Sequence, residues 1–327
     1  MNQNKWKEIL KGKTSVAIGG HERPDGDCIG SCTGLYLYLK QNYENIEVDL
    51  YLEQIPETFQ VIRGTEHIRH SIPEEKQYDL FICLDCGDKE RLGFSVQLFQ
   101  NAGTTLCIDH HISNTEFADE NYIVPDASST SELVYRLLDK EKIEETVAEA
   151  LYMGIVHDTG VFQYSCTSPD TLRAAADLLS RGINAPALIE HTFYEKTYAQ
   201  NQILGRALLE SIVFMDGACI FTSLTKAVMQ FYGVTAKELE GIVSQLRVTK
   251  GVEVAIFMYE LEPNVYKVSL RSKEKVDVSR IARYFGGGGH VRAAGFTMPG
   301  TVHDVINNLS KQIALQLGPK EKTKSEA

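Results

Sequence analysis

The chain has 327 residues, so we expect two domains of roughly 100–200 residues each. A hydrophobic content of 43% with 24% charged residues is ordinary for a soluble globular protein. The net charge of −11 disfavours binding to long nucleic acids, because proteins that follow a phosphate backbone usually carry a basic surface.

The N-terminal residues are polar, and no apolar run approaches the length of about 18 residues that a membrane span needs. We therefore expect no signal peptide, no membrane contact and a cytoplasmic location. Seven cysteines in such a chain are interpreted as reduced thiols. The pair Cys83-x-x-Cys86 is a weak zinc signal without a second pair, and burial as small residues is the favoured interpretation.

Apolar runs alternate with helical patterns in the first third of the chain. Strands are predicted at 15–19, 46–52, 79–84 and 104–108, and helices at 28–39 and 94–101. Near-continuous apolar strands between helices indicate a mainly parallel sheet that is buried on both faces. The ligand site of such a sheet lies beyond the carboxyl ends of its strands.

A second set of elements follows this sheet. The apolar stretch 150–156 predicts a helix on one flank of the sheet, and residues 170–211 have a helical pattern. Further strands are predicted at 213–215, 218–221, 254–258 and 266–270, and a helix at 277–285. The fold class is therefore α/β, with predicted divisions at 1–190 (first domain), 191–212 (helical linker), 213–318 (smaller α/β domain) and 319–327 (disordered tail).

Six acidic and imidazole side chains stand where hydrophobic runs give way to polar residues. They are His21, Asp25, Asp27, Asp85, His110 and Asp158. Four carboxylates and two imidazoles are too many for one ion and suit two divalent ions such as Mn²⁺, whereas the absence of thiolate argues against structural zinc. A paired-metal site predicts phosphoester hydrolysis.

Each of these motifs has an alternative interpretation when it is taken alone. Asp25 and Asp27 could form an Asp-rich turn that caps the next helix, and Asp109-His110-His111 could be a surface turn. We assign the metal to one of the two histidines and leave the other for the substrate phosphate or for proton transfer. An isolated carboxylate at Asp85 would be costly to bury, and binding two cations would remove that cost.

The run of four glycines at 286–289, followed directly by His290, is the other distinctive feature. Successive glycines have a high entropic cost unless close backbone approach is required, and their N–H groups can cradle a phosphate or the edge of a base. We predict that Gly287, Gly288, Gly289 and His290 bind the substrate, together with Arg271. The alternatives are a flexible loop and a solvated surface arginine.

Together, these motifs resemble those of the DHH/DHHA1 phosphoesterases, from about Lys5 to Leu315. The shared motifs are His21-x-x-x-Asp25-x-Asp27, Asp85, Asp109-His110-His111, Asp158 and the glycine run before His290. Within this family the chain is similar to the compact NrnA-type enzymes. These degrade very short oligoribonucleotides and dephosphorylate 3′-phosphoadenosine 5′-phosphate, and they have relatives that hydrolyse cyclic di-AMP or its linear product pApA.

The resemblance implies a role for each residue. His21, Asp25 and Asp85 would hold one Mn²⁺, and Asp27, Asp85, His110 and Asp158 the other, so that Asp85 bridges the two ions. His111 would lie near the scissile phosphate, and the catalytic set would be Asp85, His110 and His111. The resemblance also implies an N-terminal DHH domain, a C-terminal DHHA1 domain that grips the nucleotide, and a homodimer. A pyrophosphatase, a processive exonuclease and a catalytically silent nucleotide sensor are the rival interpretations.

Overall fold

The computed structural model describes residues 1–73 and 76–318, and the predicted tail at 319–327 lies outside this range. The chain divides into two compact units, which meet in sequence between Glu195 and Lys196. Both units combine helices with a sheet, which confirms the predicted α/β fold class. No helix within the described ranges has both the length and the apolar character that crossing a membrane requires.

The first unit alternates strands and helices. Its elements are α1 (Gln3–Leu10), β1 (Ser15–Gly19), α2 (Gly26–Asn42), β2 (Glu47–Tyr51), β3 (Ile68–Arg69), β4 (Leu80–Leu84), α3 (Val96–Asn101), β5 (Thr105–Asp109), β6 (Glu120–Ile123), α4 (Thr130–Leu137), α5 (Glu145–Asp158), α6 (Pro169–Leu179) and α7 (Ala185–Ile189). The described strands pair in the order β3-β2-β1-β4-β5-β6, and every pairing is parallel. The predicted parallel sheet is therefore confirmed.

Both faces of this sheet are covered, as the apolar strands predict. Along β4, Ile82 and Leu84 enter the core beneath α2, α4 and α5, whereas Phe81 and Cys83 enter a smaller core that includes Phe99 of α3. This alternation follows from the two-residue period of a strand. The two flanking strands β3 and β6 were not predicted. The first has only two residues, and the second is polar and half-buried, so neither contains an apolar run.

Helices α2 and α5 approach each other closely at two glycines. A Cβ added at Gly30 would lie 2.6 Å from the carbonyl oxygen of Ala150 and 2.8 Å from the Cα of Gly154. A larger residue at Gly30 would push the helices apart, because such contacts are shorter than real Cβ atoms tolerate, and a Cβ at Gly154 would meet the Ser131 hydroxyl of α4 at 2.0 Å. This packing brings the first turn of α2 next to the C-terminal half of α5.

The second unit contains a mixed sheet. Its elements are α8 (Tyr198–Leu209), β7 (Ile212–Phe214), β8 (Cys219–Leu224), α9 (Lys226–Tyr232), α10 (Ile242–Arg247), β9 (Val254–Glu262), β10 (Val265–Ser272), α11 (Val278–Tyr284), β11 (Gly288–His290), β12 (Ala293–Pro299) and α12 (Val302–Leu317). The described strands run in the order β11-β12-β10-β9-β8-β7, with β8 and β9 parallel and the other pairs antiparallel.

The helical segment at 170–211 contributes to both cores. Leu178 of α6 and Leu188 of α7 are buried in the core of the first unit. Ile203 and Ala207 of α8 are buried in a core of the second unit. A short π-helical turn, Glu190–Tyr194, follows α7 directly. Each part of the segment thus packs its apolar face on its own unit, as expected of amphipathic helices.

Candidate metal centre

The polar side chains that follow the central strands meet at one edge of the first sheet. His21 follows β1, Asp85 follows β4, and His110 follows β5. Asp25 and Asp27 lie at the start of α2, and Asp158 is the last residue of α5. Because the carboxyl ends of parallel strands lie at the same edge, the structure brings all six predicted metal ligands together.

Asp85 lies between His21 on one side and His110 on the other. Its Oδ2 atom lies 3.6 Å from Nε2 of His21, and its Oδ1 atom lies 3.6 Å from Nε2 of His110. The side chain of Asp85 is only 3% exposed, and its backbone has a φ of 54°, which is uncommon for residues other than glycine. The two oxygens of one carboxylate therefore face two different sets of donors.

The second set of donors surrounds His110. Its Nε2 atom lies 3.2 Å from Oδ2 of Asp158 and 4.0 Å from Oδ2 of Asp27. One potential ligand atom from each of these three residues lies within 4.8 Å of the other two. This spacing suits a metal ion bound among the three side chains.

His21 is oriented by a hydrogen bond at its other ring nitrogen. Nδ1 lies 2.8 Å from the carbonyl oxygen of Glu22, which can only accept, so Nδ1 carries the proton. Nε2 lies 3.7 Å from Oδ1 of Asp25 and 3.6 Å from Oδ2 of Asp85, where it could bind a metal ion once it is deprotonated. Asp25 also caps α2, because its Oδ1 atom accepts hydrogen bonds from the N–H groups of Asp27 and Cys28. The helix-cap interpretation of Asp25 is therefore correct, and it leaves room for a ligand role as well.

The carboxylates of this centre repel one another. Burial, followed by the charges of Asp85 and Asp158, raises the pKa of Asp27 well above its usual range. Burial raises the pKa of Asp158 to about 7, since the nearby His110 only partly opposes it. A centre whose buried acids are short of positive charge is the kind of donor set that divalent cations fit.

Asp109 has a role that was not predicted from the sequence. Its fully buried carboxylate lies 2.7 Å from Nδ1 of His111 and accepts a 2.7 Å hydrogen bond from the side-chain amide of Asn114. The hydrogen bond to Asp109 raises the pKa of His111 to about 9, although burial opposes it. An acid as the last residue of a buried strand was the available signal.

A serine-rich turn, residues 128–132, was also missed. The backbone N–H groups of Thr130 and Ser131 donate to the two carboxylate oxygens of Asp27, at 2.6 and 2.9 Å. The hydroxyl of Thr130 donates to Oδ1 of Asp85 at 3.1 Å. Ser129 followed by Glu132, just before an apolar run, is a helix-start signal that could have located this turn.

All seven cysteines are free thiols, and six of them are buried. Cys28 is close to the centre, because its sulfur lies within 4.8 Å of a ligand atom of both His21 and Asp85. Burial raises the pKa of the Cys28 thiol well above its usual range, so it is protonated. Cys83 and Cys86 are also completely buried, as the small-residue interpretation of this pair expected.

The predicted substrate-binding residues lie in the second unit. Arg271 is on β10, where its guanidinium donates to the carbonyl oxygen of Leu270 at 3.0 Å. Arg271 and His290 both pair with Ala293 of β12, one from each side. Directly paired residues point to the same face of a sheet, so Arg271 and the exposed His290 flank a small residue on one face.

Part of the glycine run forms the strand β11, which differs from the flexible loop of the alternative interpretation. A Cβ at Gly287 would lie 2.3 Å from the carbonyl oxygen of Gly295, and Gly289 has a φ of 139° with a Cβ position 2.5 Å from the carbonyl oxygen of Ala293. Packing against β12 therefore explains these two glycines without a ligand. Gly288 has neither restriction, since a Cβ there would meet nothing within 4 Å. Of these three glycines, Gly288 is the one that the fold itself does not require.

Both units match known domain families. Residues 15–155 match the sequence model described as "DHH family, N-terminal domain". Residues 223–317 match the model of the DHHA1 domain. The first match covers the strands that lead into the candidate metal centre, and the second covers the predicted substrate-binding residues.

Several known proteins are similar over most of the chain. The bifunctional oligoribonuclease and PAP phosphatase NrnA of Thermus thermophilus is 32% identical over 300 residues, which cover 90% of this chain and 87% of that protein. The cyclic-di-AMP phosphodiesterase PdeA of Listeria monocytogenes is 28% identical over 311 residues, covering 88% of this chain and 45% of that protein. The crystal structure of an exopolyphosphatase-related protein from Bacteroides fragilis matches with a TM-score of 0.85 at 25% identity, covering 95% of this chain and 94% of that one.

Proposed function

The chain belongs to the DHH family, and on that basis we propose that it hydrolyses very short oligoribonucleotides to mononucleotides and 3′-phosphoadenosine 5′-phosphate to AMP. The observation that carries this proposal is the position of Asp85, whose two oxygens face His21 on one side and His110 on the other. Such a carboxylate is suited to bridge two ions. The similarity to an oligoribonuclease and PAP phosphatase indicates the class of substrate.

We propose that two divalent ions, most simply Mn²⁺, bind at the candidate centre. His21, Asp25 and Asp85 would hold one, and Asp27, Asp85, His110 and Asp158 would hold the other. Carboxylate and imidazole donors suit Mn²⁺, and the raised pKa of Asp27 reflects a shortage of positive charge that two cations would relieve. When bound, such a pair supplies an activated water and stabilises charge on the phosphoryl oxygens.

His111 is suited to the remaining charge and proton work. Asp109 orients its ring through Nδ1, and this hydrogen bond raises the pKa of His111 to about 9 in the metal-free protein, which favours the protonated imidazole. The proton on Nε2 can then stabilise a phosphoryl oxygen or protonate the leaving alcohol. In the reaction a water oxygen bonds to phosphorus, the bond from phosphorus to the ribose oxygen breaks, and that oxygen takes up a proton.

The second unit is proposed to bind the nucleotide through Arg271, Gly287, Gly288, Gly289 and His290. Arg271 and His290 lie on one face of the sheet with only Ala293 between them. Both side chains could therefore donate hydrogen bonds to the same phosphate or base. The net charge of −11 supports short substrates over long nucleic acids. A homodimer in the cytoplasm completes the proposal.

Cyclic di-AMP or its linear product is the second candidate substrate. The similarity to the cyclic-di-AMP phosphodiesterase of Listeria monocytogenes favours it, although this chain spans less than half of that protein. The two candidates use the same phosphoester chemistry and differ only in the nucleotide that the second unit must accept.

A substrate panel tests the proposal. The purified protein with Mn²⁺ is offered a dinucleotide, a five-residue RNA, 3′-phosphoadenosine 5′-phosphate, cyclic di-AMP, pApA and pyrophosphate. We expect the highest kcat/KM on the short RNAs and the bisphosphate, and no product from the Asp85→Asn variant. Preferred cleavage of cyclic di-AMP would establish the second candidate, and no turnover of any compound would refute both.

A further inference from the structure

The two buried carboxylates of the candidate metal centre are held by one helix that supplies none of the predicted ligands. Asp27 belongs to α2, and Asp85 follows β4, so 58 positions of chain separate them. Both nevertheless accept hydrogen bonds from the first turn of α4. The relative position of these two acids therefore depends on α4.

Asp27 is bound by the backbone of this turn. Its Oδ2 atom accepts from the N–H of Thr130 and its Oδ1 atom from the N–H of Ser131. These N–H groups have no partner within α4 because they belong to its first turn, and the helix dipole favours a negative charge there. The contact fixes the plane of the Asp27 carboxylate, and Oδ2 remains 4.0 Å from Nε2 of His110.

Asp85 is bound by a side chain of the same turn. The Thr130 hydroxyl donates to Oδ1, the oxygen that faces His110, whereas Oδ2 faces His21. A rotation of the Asp85 carboxylate would turn one of these oxygens away from its histidine. The Thr130 hydroxyl opposes that rotation.

The turn itself is anchored by a buried carboxylate. Glu132 is completely buried, and its Oε2 atom accepts from the N–H and hydroxyl of Ser128 and from the hydroxyl of Thr171 in α6. Its other oxygen, Oε1, pairs with Arg136 one turn further along α4. Four donors on one carboxylate hold residues 128–131 in place, and all five residues of the serine-rich turn are inaccessible to solvent.

We propose that Thr130 is a positioning residue that sets the geometry of both metal sites, by holding the Asp85 carboxylate through its hydroxyl and the Asp27 carboxylate through its N–H. This inference rests on the proposed two-metal function and adds to it a residue that is not itself a ligand. Groups that orient metal ligands commonly change metal affinity by about 10–100-fold when they are removed.

The variants Thr130→Val and Thr130→Ser separate the hydroxyl from the shape of the side chain. Thr33→Val is the matched control, because Thr33 is equally buried in the first unit and its hydroxyl has no hydrogen-bond partner among the described residues. Mn²⁺ binding is measured by titration calorimetry and by the electron paramagnetic resonance of the free ion, and the thermal midpoint of each metal-free protein is recorded.

We expect T130V to bind Mn²⁺ about 10–100-fold more weakly than the wild type, while T130S and T33V bind it normally. If Thr130 had a purely structural role, T130V would have a lower thermal midpoint, but at temperatures where it is folded it would bind Mn²⁺ as tightly as the wild type. Wild-type affinity in a folded T130V would overturn the inference and leave the proposed function intact, whereas a wild type that binds no Mn²⁺ would overturn both. If T130V does not fold, T130S decides: its affinity must match the wild type, and a tenfold loss despite the retained hydroxyl would overturn the inference.

Discussion

The carboxylate of Asp109 lies 2.7 Å from Nδ1 of His111, and this contact gives the two histidines of the Asp-His-His motif different roles. Asp109 is completely buried and is held in turn by Asn114, so its carboxylate is placed to orient the ring of His111. His110 faces Asp158, Asp85 and Asp27, whereas His111 faces Asp109 and Asp85. Three consecutive residues thus have three different surroundings.

Replacing Asp109 with Asn should lower kcat and shift its pH dependence. The hydrogen bond to Asp109 raises the pKa of His111 to about 9, so its loss lets the imidazole give up its proton at lower pH. We expect kcat to fall by about 10–100-fold and the alkaline limb of the kcat profile to move toward neutral pH. Steady-state rates between pH 6 and 10 measure both effects. An alkaline limb that does not move would argue against protonated His111 in the reaction.

Replacing Asp85 with Asn should abolish hydrolysis while the protein stays folded. The charge of Asp85 contributes to raising the pKa of Asp27, so its removal relieves repulsion in the metal-free protein. We therefore expect the metal-free variant to melt at the same temperature as the wild type or higher. Mn²⁺ should raise the melting temperature of the wild type much more than that of the variant. Melting curves with and without Mn²⁺ test this, and substantial activity in D85N would refute the bridging role.

The metal-free protein should lose stability as the pH rises from 6.5 to 9. The pKa of His111 is raised to about 9 in the folded state, so its stabilising contribution is complete below the unfolded value near 6.5 and is lost as the pH rises through 9. Burial raises the pKa of Asp158 to about 7, so the cost of burying its charge grows as the pH rises toward 7 and adds to the loss only at the lower end of this range. His157, whose pKa burial lowers to about 4, changes charge below this window.

Urea unfolding of the chelator-treated protein at pH 6.5 and pH 9 measures this loss. The D109N variant is the control, because it should show a smaller difference between the two pH values. Added Mn²⁺ should reverse the trend, since its ligands bind it in their deprotonated forms. A free energy of unfolding that rises between pH 6.5 and 9 without metal would contradict the prediction.

Replacing His290 with Ala should weaken substrate binding and leave metal binding unchanged. His290 is exposed on the sheet of the second unit, whereas the candidate metal ligands belong to the first. We expect KM for a dinucleotide to rise by about 10-fold, the value of one hydrogen bond to a charged group. Exposed His303 on α12 offers a matched control in the same unit, and H303A should bind normally. An equal loss of Mn²⁺ and substrate affinity in H290A would count against this assignment.

Alanine at two neighbouring glycines should affect different properties, stability at Gly287 and substrate binding at Gly288. At Gly287 the added Cβ would meet the backbone of Gly295 at 2.3 Å, so we expect a loss of stability of about 1–3 kcal/mol. At Gly288 the Cβ would meet nothing within 4 Å, so G288A should keep the wild-type melting temperature. If the glycine run contacts the substrate, G288A should instead raise KM. Normal melting and normal KM in G288A would remove Gly288 from the binding site.

Much of the centre could be predicted from sequence because four of the six candidate ligands stand at the end of an apolar element, and Asp25 and Asp27 follow in the motif that begins with His21. His21, Asp85 and His110 come after buried strands, and the carboxyl ends of parallel strands meet at one edge whatever the details of packing. The buried strands themselves were recognisable because short apolar runs between helical patterns are typical of strands in a parallel sheet. The α/β class and the convergence of the six side chains therefore follow from local patterns.

The tertiary structure decided which groups orient those side chains. Thr130 reaches Asp27 and Asp85 because α4 begins beside α2 and β4, and no spacing in the sequence encodes that contact. The requirement for Gly287 likewise comes from β12, a strand that follows it in the chain. Local patterns determined which residues carry the chemistry, whereas contacts between distant segments determined how they are held, because hydrogen bonds of about 3 Å depend on the packed positions of whole helices and strands.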